Sequence, residues 1–171
     1  MSTVVERAML YSLAALTVFV SAALIGFIFP STYVLDAVSG VRLYAALPPL
    51  TRAAAIFVNN VFVAFMLLLS SFTVLVGLYL LAFNGYVLGV LLAFSSKHHP
   101  LPTLLFAIAP HGIIEVAVYS YLVGVALSLV EAWLKKRIGL EEAATYILKA
   151  CTVAVLGLAA AALIESFMVL D

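Results

Sequence analysis

Charged side chains are scarce: Asp, Glu, Lys and Arg make up 9% of the 171 residues, against 67% that are hydrophobic. Soluble domains carry about 25% charged residues and under about 50% apolar ones. A water-soluble fold of this size is therefore excluded, and hydrocarbon is the solvent this composition suits. The eight basic residues form no long tract and are balanced by eight acidic ones, so no nucleic-acid partner is expected. The single cysteine, Cys151, excludes an intramolecular disulfide and a thiolate metal cluster. The two aspartates, Asp36 and Asp171, lie outside the apolar runs, which excludes a catalytic aspartate pair at membrane depth. Neither H-E-x-x-H nor G-x-S-x-G occurs, so a zincin-like peptidase and a serine-hydrolase elbow are excluded too.

What the chain does have is long apolar runs. A helix needs about 20 apolar residues to cross the hydrocarbon core. The run Ala8 to Phe29 is too long for a secretory h-region of about 7–15 residues and has no small-residue cleavage site after it. It reads as a retained crossing over about 9–29, ended by Pro30. Residues 31–52 mix tyrosines, Asp36, Arg42, Arg52 and Pro48-Pro49, as an interfacial segment does. No charge then appears from Ala53 to Phe94. As one helix that stretch would be roughly 60 Å long at 1.5 Å per residue, so it must turn. The turn dipeptide Asn84-Gly85 predicts helices over about 54–83 and 85–94. Lys97-His98-His99-Pro100 reads as a loop, and the next apolar helix, about 103–133, is expected to break near Pro110. A last helix covers about 143–168.

The expected fold is all-α, a polytopic transmembrane bundle of about five hydrophobic helices forming a single membrane domain over 1–171, with a re-entrant or broken segment near 85–110. Two topologies satisfy these lengths. Either five helices cross, or Gly85–Phe94 and Leu101–Ala109 form a re-entrant hairpin and four cross. The basic cluster Lys135-Lys136-Arg137 places its loop in the cytoplasm by the positive-inside rule. Both topologies then put the C-terminus outside, and they differ over the N-terminus.

The polar residues left inside the apolar helices are few. A charged side chain at the bilayer centre costs about 2.5–3.5 kcal/mol on insertion scales, and such residues face the protein interior. His111 and Glu115 are one turn apart on one helical face, which Tyr119 continues. They read either as a pair that satisfies itself or as part of a metal or proton site. In the second case Glu165, near the end of the last helix, is the third candidate ligand, and a histidine with carboxylates suits zinc or another divalent cation. Asn59, Asn60 and Asn84 are candidates to support that site. On an unbroken helix Asn59, Ser70, Gly77 and Asn84 would share one stripe. The small residues Ala159 to Ala162 suit close helix packing and suggest a homodimer.

The run Pro110-His111-Gly112-Ile113-Ile114-Glu115 resembles the signature of the stage II sporulation protein M family, and Asn59-Asn60, Asn84-Gly85 and Ile164-Glu165-Ser166-Phe167 follow that family's pattern in order. The likeness covers most of the chain from about residue 55. It implies a polytopic α-helical membrane protein with about five helices. The sporulation member anchors peptidoglycan-degrading partners in the membrane, so membrane or cell-envelope protein partners are implied as well. The expected function is a non-enzymatic scaffold or complex subunit of the cell membrane, with the lipid bilayer as its surroundings. The competing readings are an ion- or proton-coupled transport or metal-binding protein, and an intramembrane metal-dependent hydrolase with His111 holding an activated water.

Overall fold

A backbone in hydrocarbon must satisfy its own amides and carbonyls, which makes helices the default for runs this apolar. The computed structural model describes residues 2–38 and 47–168. Its helices are α1 (Ser2–Ile28), α2 (Thr32–Val38), α3 (Pro49–Ser71), α4 (Leu75–Ser95), α5 (Leu101–Leu134) and α6 (Leu140–Phe167). All but α2 are long and apolar enough to cross a membrane. Of the segment expected at the interface, Thr32–Val38 is a short helix and residues 49–52 begin α3, while 39–46, with Arg42, lie outside the described residues.

The 53–94 stretch turns at Phe72–Val74, not at Asn84-Gly85. Hydroxyl groups make this turn. Ser70 and Ser71 donate to the Leu67 carbonyl at 3.2 and 2.6 Å, and Thr73 donates to that of Ser70 at 2.6 Å. They serve carbonyls at the end of α3 that hydrocarbon cannot. Val74 then takes a left-handed φ of 47°, which reverses the chain. The turn falls at the midpoint of the charge-free stretch, where two equal crossings require it.

Asn84 and Gly85 lie inside α4. The Asn84 amide donates to the Leu80 carbonyl of its own helix at 2.8 Å. A Cβ on Gly85 would strike the Phe19 carbonyl of α1, and one on Gly89 would strike backbone atoms of Ala23 and Phe27. These glycines, four apart, are where α1 and α4 approach closely, and Gly26 of α1 meets the Tyr86 backbone in the same contact. Because α3 and α4 are separate helices, the stripe drawn through Asn59, Ser70, Gly77 and Asn84 does not exist.

Pro110 does not break α5, which runs unbroken through it for 34 residues. The ring is exposed, so its bulk and its missing donor are accommodated on the outer face. Gly85–Phe94 belongs to α4 and Leu101–Ala109 to α5, so neither forms a re-entrant hairpin. Helix α5 ends where Lys136 adopts φ 52° and the Lys136 and Arg137 amides return to the Trp133 and Ala132 carbonyls, both at 2.9 Å. That is the 5→2 and 6→1 bonding of a Schellman cap.

Helix α5 is the most buried of the long helices and touches α1, α3, α4 and α6. Leu122, Val123, Ala126 and Leu129 form the centre of the core. Gly124 lets α1 approach at Ala8 and Ser12, antiparallel to α5. Tyr11 of α1 donates to Glu131 of α5 at 2.7 Å, Arg7 lies 3.9 Å from the same carboxylate, and Lys135 pairs with it one turn on. The start of α1 and the α5–α6 loop therefore share one end of the bundle, as five crossings require.

Gly85→Val and Gly89→Val should each push α1 off α4 and cost about 1–3 kcal/mol or more. Thermal unfolding in detergent should show both well below the parent. Phe106→Leu, at a side chain that is 82% exposed, should match the parent.

Candidate functional site

Along α3 the buried positions include Ala53, Ile56, Asn60, Ala64 and Leu67. Their spacing of three to four residues puts Asn60 on the core face of the helix and Asn59 about 100° round from it. The structure follows this: Asn60 is 8% exposed, whereas Asn59 lies on the outer surface. The Asn59 amide donates to Asn60 Oδ1 at 3.2 Å, and Asn60 Nδ2 donates to Glu115 Oε1 of α5. The first bond occupies the Asn60 oxygen and leaves its amide nitrogen to face the carboxylate. Two adjacent asparagines thus form a relay from the outer face of α3 to an acidic side chain inside the bundle.

Glu115 and Tyr119 share a face of α5, one turn apart, and Tyr119 is buried. Glu165 arrives from α6 and lies within electrostatic range of both. The polar centre therefore sits where α3, α5 and α6 meet. Arg52, in the first turn of α3, donates to the Ser166 carbonyl at the end of α6 (3.4 Å) and to the Leu47 carbonyl (3.0 Å). A cation at a helix C-terminus is favoured by the helix dipole. Sequence reading assigned Arg52 to an interfacial segment and missed this role. Its signal was Pro48-Pro49, which starts α3 just before it.

His111 takes no part in the hydrogen bonding of this centre. Its Nδ1 is buried without a hydrogen-bond partner, and the expected self-satisfied pair with Glu115 does not form. Helical spacing put the two residues on one face, but the Glu115 carboxylate reaches across to α3. Among the described residues no group of three His, Cys, Asp or Glu side chains is placed to hold a metal ion. Asn84 spends its amide on α4. Cys151 is half-buried and packs against the core, and His98 and His99 are exposed in the α4–α5 loop. Of the small residues on α6, Ala161 and Ala162 are already buried within the protomer.

The second polar cluster, Tyr11, Arg7, Glu131 and Lys135, was not foreseen, although Glu131 and Lys135 stand four apart as a helical ion pair does.

Five apolar crossings around a few internally bonded polar side chains define a polytopic α-helical integral membrane protein. The chain belongs to the stage II sporulation protein M family, whose sequence model matches residues 13–169. No curated protein and no solved structure matches it.

Asn60→Leu removes the donor and leaves the Glu115 carboxylate unserved, which should cost about 1–2 kcal/mol. Replacing both partners, Asn60→Leu with Glu115→Leu, should recover most of that loss. A double-mutant cycle on unfolding in detergent or bicelles checks this, and additive losses would show that the bond carries no coupling.

Proposed function

We propose that this chain is a non-enzymatic scaffold or complex subunit of the cell membrane, whose buried centre of Asn60, Glu115, Tyr119 and Glu165 holds three helices in one arrangement. The observation that carries this reading is the bond from Asn60 to Glu115. An acidic oxygen at membrane depth is used to join two helices. Nearly all the described surface is helix side rather than extramembrane loop. Protein partners would therefore be engaged largely within the bilayer, where small residues and occasional polar bonds hold helices together.

The orientation we propose puts the N-terminus and the Lys135-Lys136-Arg137 loop in the cytoplasm, with the C-terminus outside. Arg7 at the start of α1 supports it by adding positive charge at the same end of the bundle.

A second reading is favoured by one specific observation. Glu165 lies within electrostatic range of Glu115, and neighbouring carboxylates at membrane depth can share a proton or a cation. That is the proton- or ion-coupled alternative.

Solubilised gently from its native membrane, the protein should migrate as a hetero-complex, larger than a single chain or a homodimer. Migration alone would overturn the scaffold reading. In vesicles the purified chain should pass no protons or cations, and elemental analysis should find no stoichiometric metal. A flux or a bound metal lost in Glu115→Gln would move the function to the second reading. With Cys151→Ala as background, Lys136→Cys should react with an impermeant maleimide only after cells are opened, and Lys97→Cys should react in intact cells.

A further inference from the structure

The bundle is not evenly packed. Helix α5 is held tightly by α1 along its second half, but its contacts with α4 are sparse. The first half of α5 stands away from α4, and a groove of about 590 Å³ opens between α1, α4 and α5. Its walls are apolar throughout, with Phe19 and Phe27 from α1, Leu92 from α4, and Leu101, Gly112 and Ala117 from α5 among the lining residues. A void of this size beside a close-packed bundle forfeits dispersion contacts along every wall, so it must be filled.

The length and the lining bear on the occupant. From Leu101 to Ala117 the lining on α5 is about 24 Å long at 1.5 Å per residue. The groove is open along one side and lined almost wholly by apolar side chains, so a flexible hydrocarbon chain can settle into it from the surrounding lipid. The length also matches half of a bilayer with its headgroup region, about 20–22 Å.

The end of the groove supplies the other half of the argument. Leu92 is near the end of α4 and Leu101 opens α5, so the loop joining these two helices closes the groove at that end. This loop carries Lys97, His98 and His99, all exposed. Lys97 Nζ lies over the Phe94 ring, 4.5 Å from its centroid. The acidic side chain of the adjacent short helix is Asp36. A cation and two imidazoles at the mouth of a purely apolar slot complement a phosphate attached to a hydrocarbon chain.

We propose that this groove is a resident phospholipid site, with an acyl chain between α1, α4 and α5 and the phosphate at the Lys97-His98-His99 loop. It does not rest on the scaffold reading, because a lipid seat serves a transporter equally well.

Gly112→Leu places a side chain in the slot. The one atom within 4 Å of an added Cβ there is Ile108 Cγ2 of the same helix, at 3.2 Å, a side-chain tip that has to give by a few tenths of an ångström. Protein purified through extensive detergent washing should retain about one phospholipid per chain, read by lipid extraction and mass spectrometry. In Gly112→Leu that amount should fall about tenfold or more, a loss of about 1.4 kcal/mol. Lys97→Glu should reduce it by repelling the phosphate. Delipidated parent protein should gain thermal stability when phosphatidylglycerol is added back, and Gly112→Leu should gain less. A photoreactive side chain at Ala109, which also lines the groove, should cross-link lipid in native membranes. The proposal is overturned if the parent retains no phospholipid, if a folded Gly112→Leu retains as much as the parent, or if the Ala109 probe captures a polypeptide instead.

Discussion

Helices in hydrocarbon gain nothing from hiding apolar surface against one another, since lipid tails are as apolar as leucine. They stay together only where backbones approach closely or where a polar bond has no better partner. This bundle uses both means, at separate places. Gly85 and Gly89 admit α1 against α4, and Gly124 admits it against α5. Asn60 and Glu115 tie α3 to α5, and Tyr11 and Glu131 tie α1 to α5. Helix α5 takes part in most of these contacts, in keeping with its being the most buried of the long helices, and its 34 residues run unbroken through Pro110.

The same economy explains the uneven packing. The glycine contacts pull α1 onto α4 and onto the second half of α5, so the first half of α5 cannot also lie against α4. The open slot is a consequence of where the small residues stand. In water such a slot would collapse or be filled by side chains. In a membrane the solvent itself is a set of flexible chains that can fill it.

Membership of the stage II sporulation protein M family gives the chain its class, and the signature residues can now be sorted by what they do here. Asn60 and Glu115 bond to each other across two helices. Gly85 is a packing residue, and Asn84 bonds within its own helix. Glu165 completes the electrostatic surroundings of Glu115. Within this chain the signature describes helix assembly at least as much as chemistry.

Much of the architecture was legible from residue order alone. Apolar run length gave about five hydrophobic helices but left four or five crossings open, and the scarcity of charge set the bilayer as solvent, because hydropathy and length are properties of each segment by itself. The face shared by Glu115 and Tyr119 also followed from the helical period, whereas the stripe drawn through Asn59 missed that Asn60 is the buried one of the pair. The turn at Phe72–Val74 was harder to see, since it is made by hydroxyl groups of Ser70, Ser71 and Thr73 rather than by the glycine or proline that marks turns in water. Asn84-Gly85 signals a turn only where solvent can take the freed backbone groups, and inside the bundle it became a packing surface. Which partner Glu115 takes, and the width of the slot beside α5, were decided by tertiary structure alone. Both depend on the rotation and separation of whole helices, and those are fixed by contacts between residues far apart in the chain, which no local period encodes.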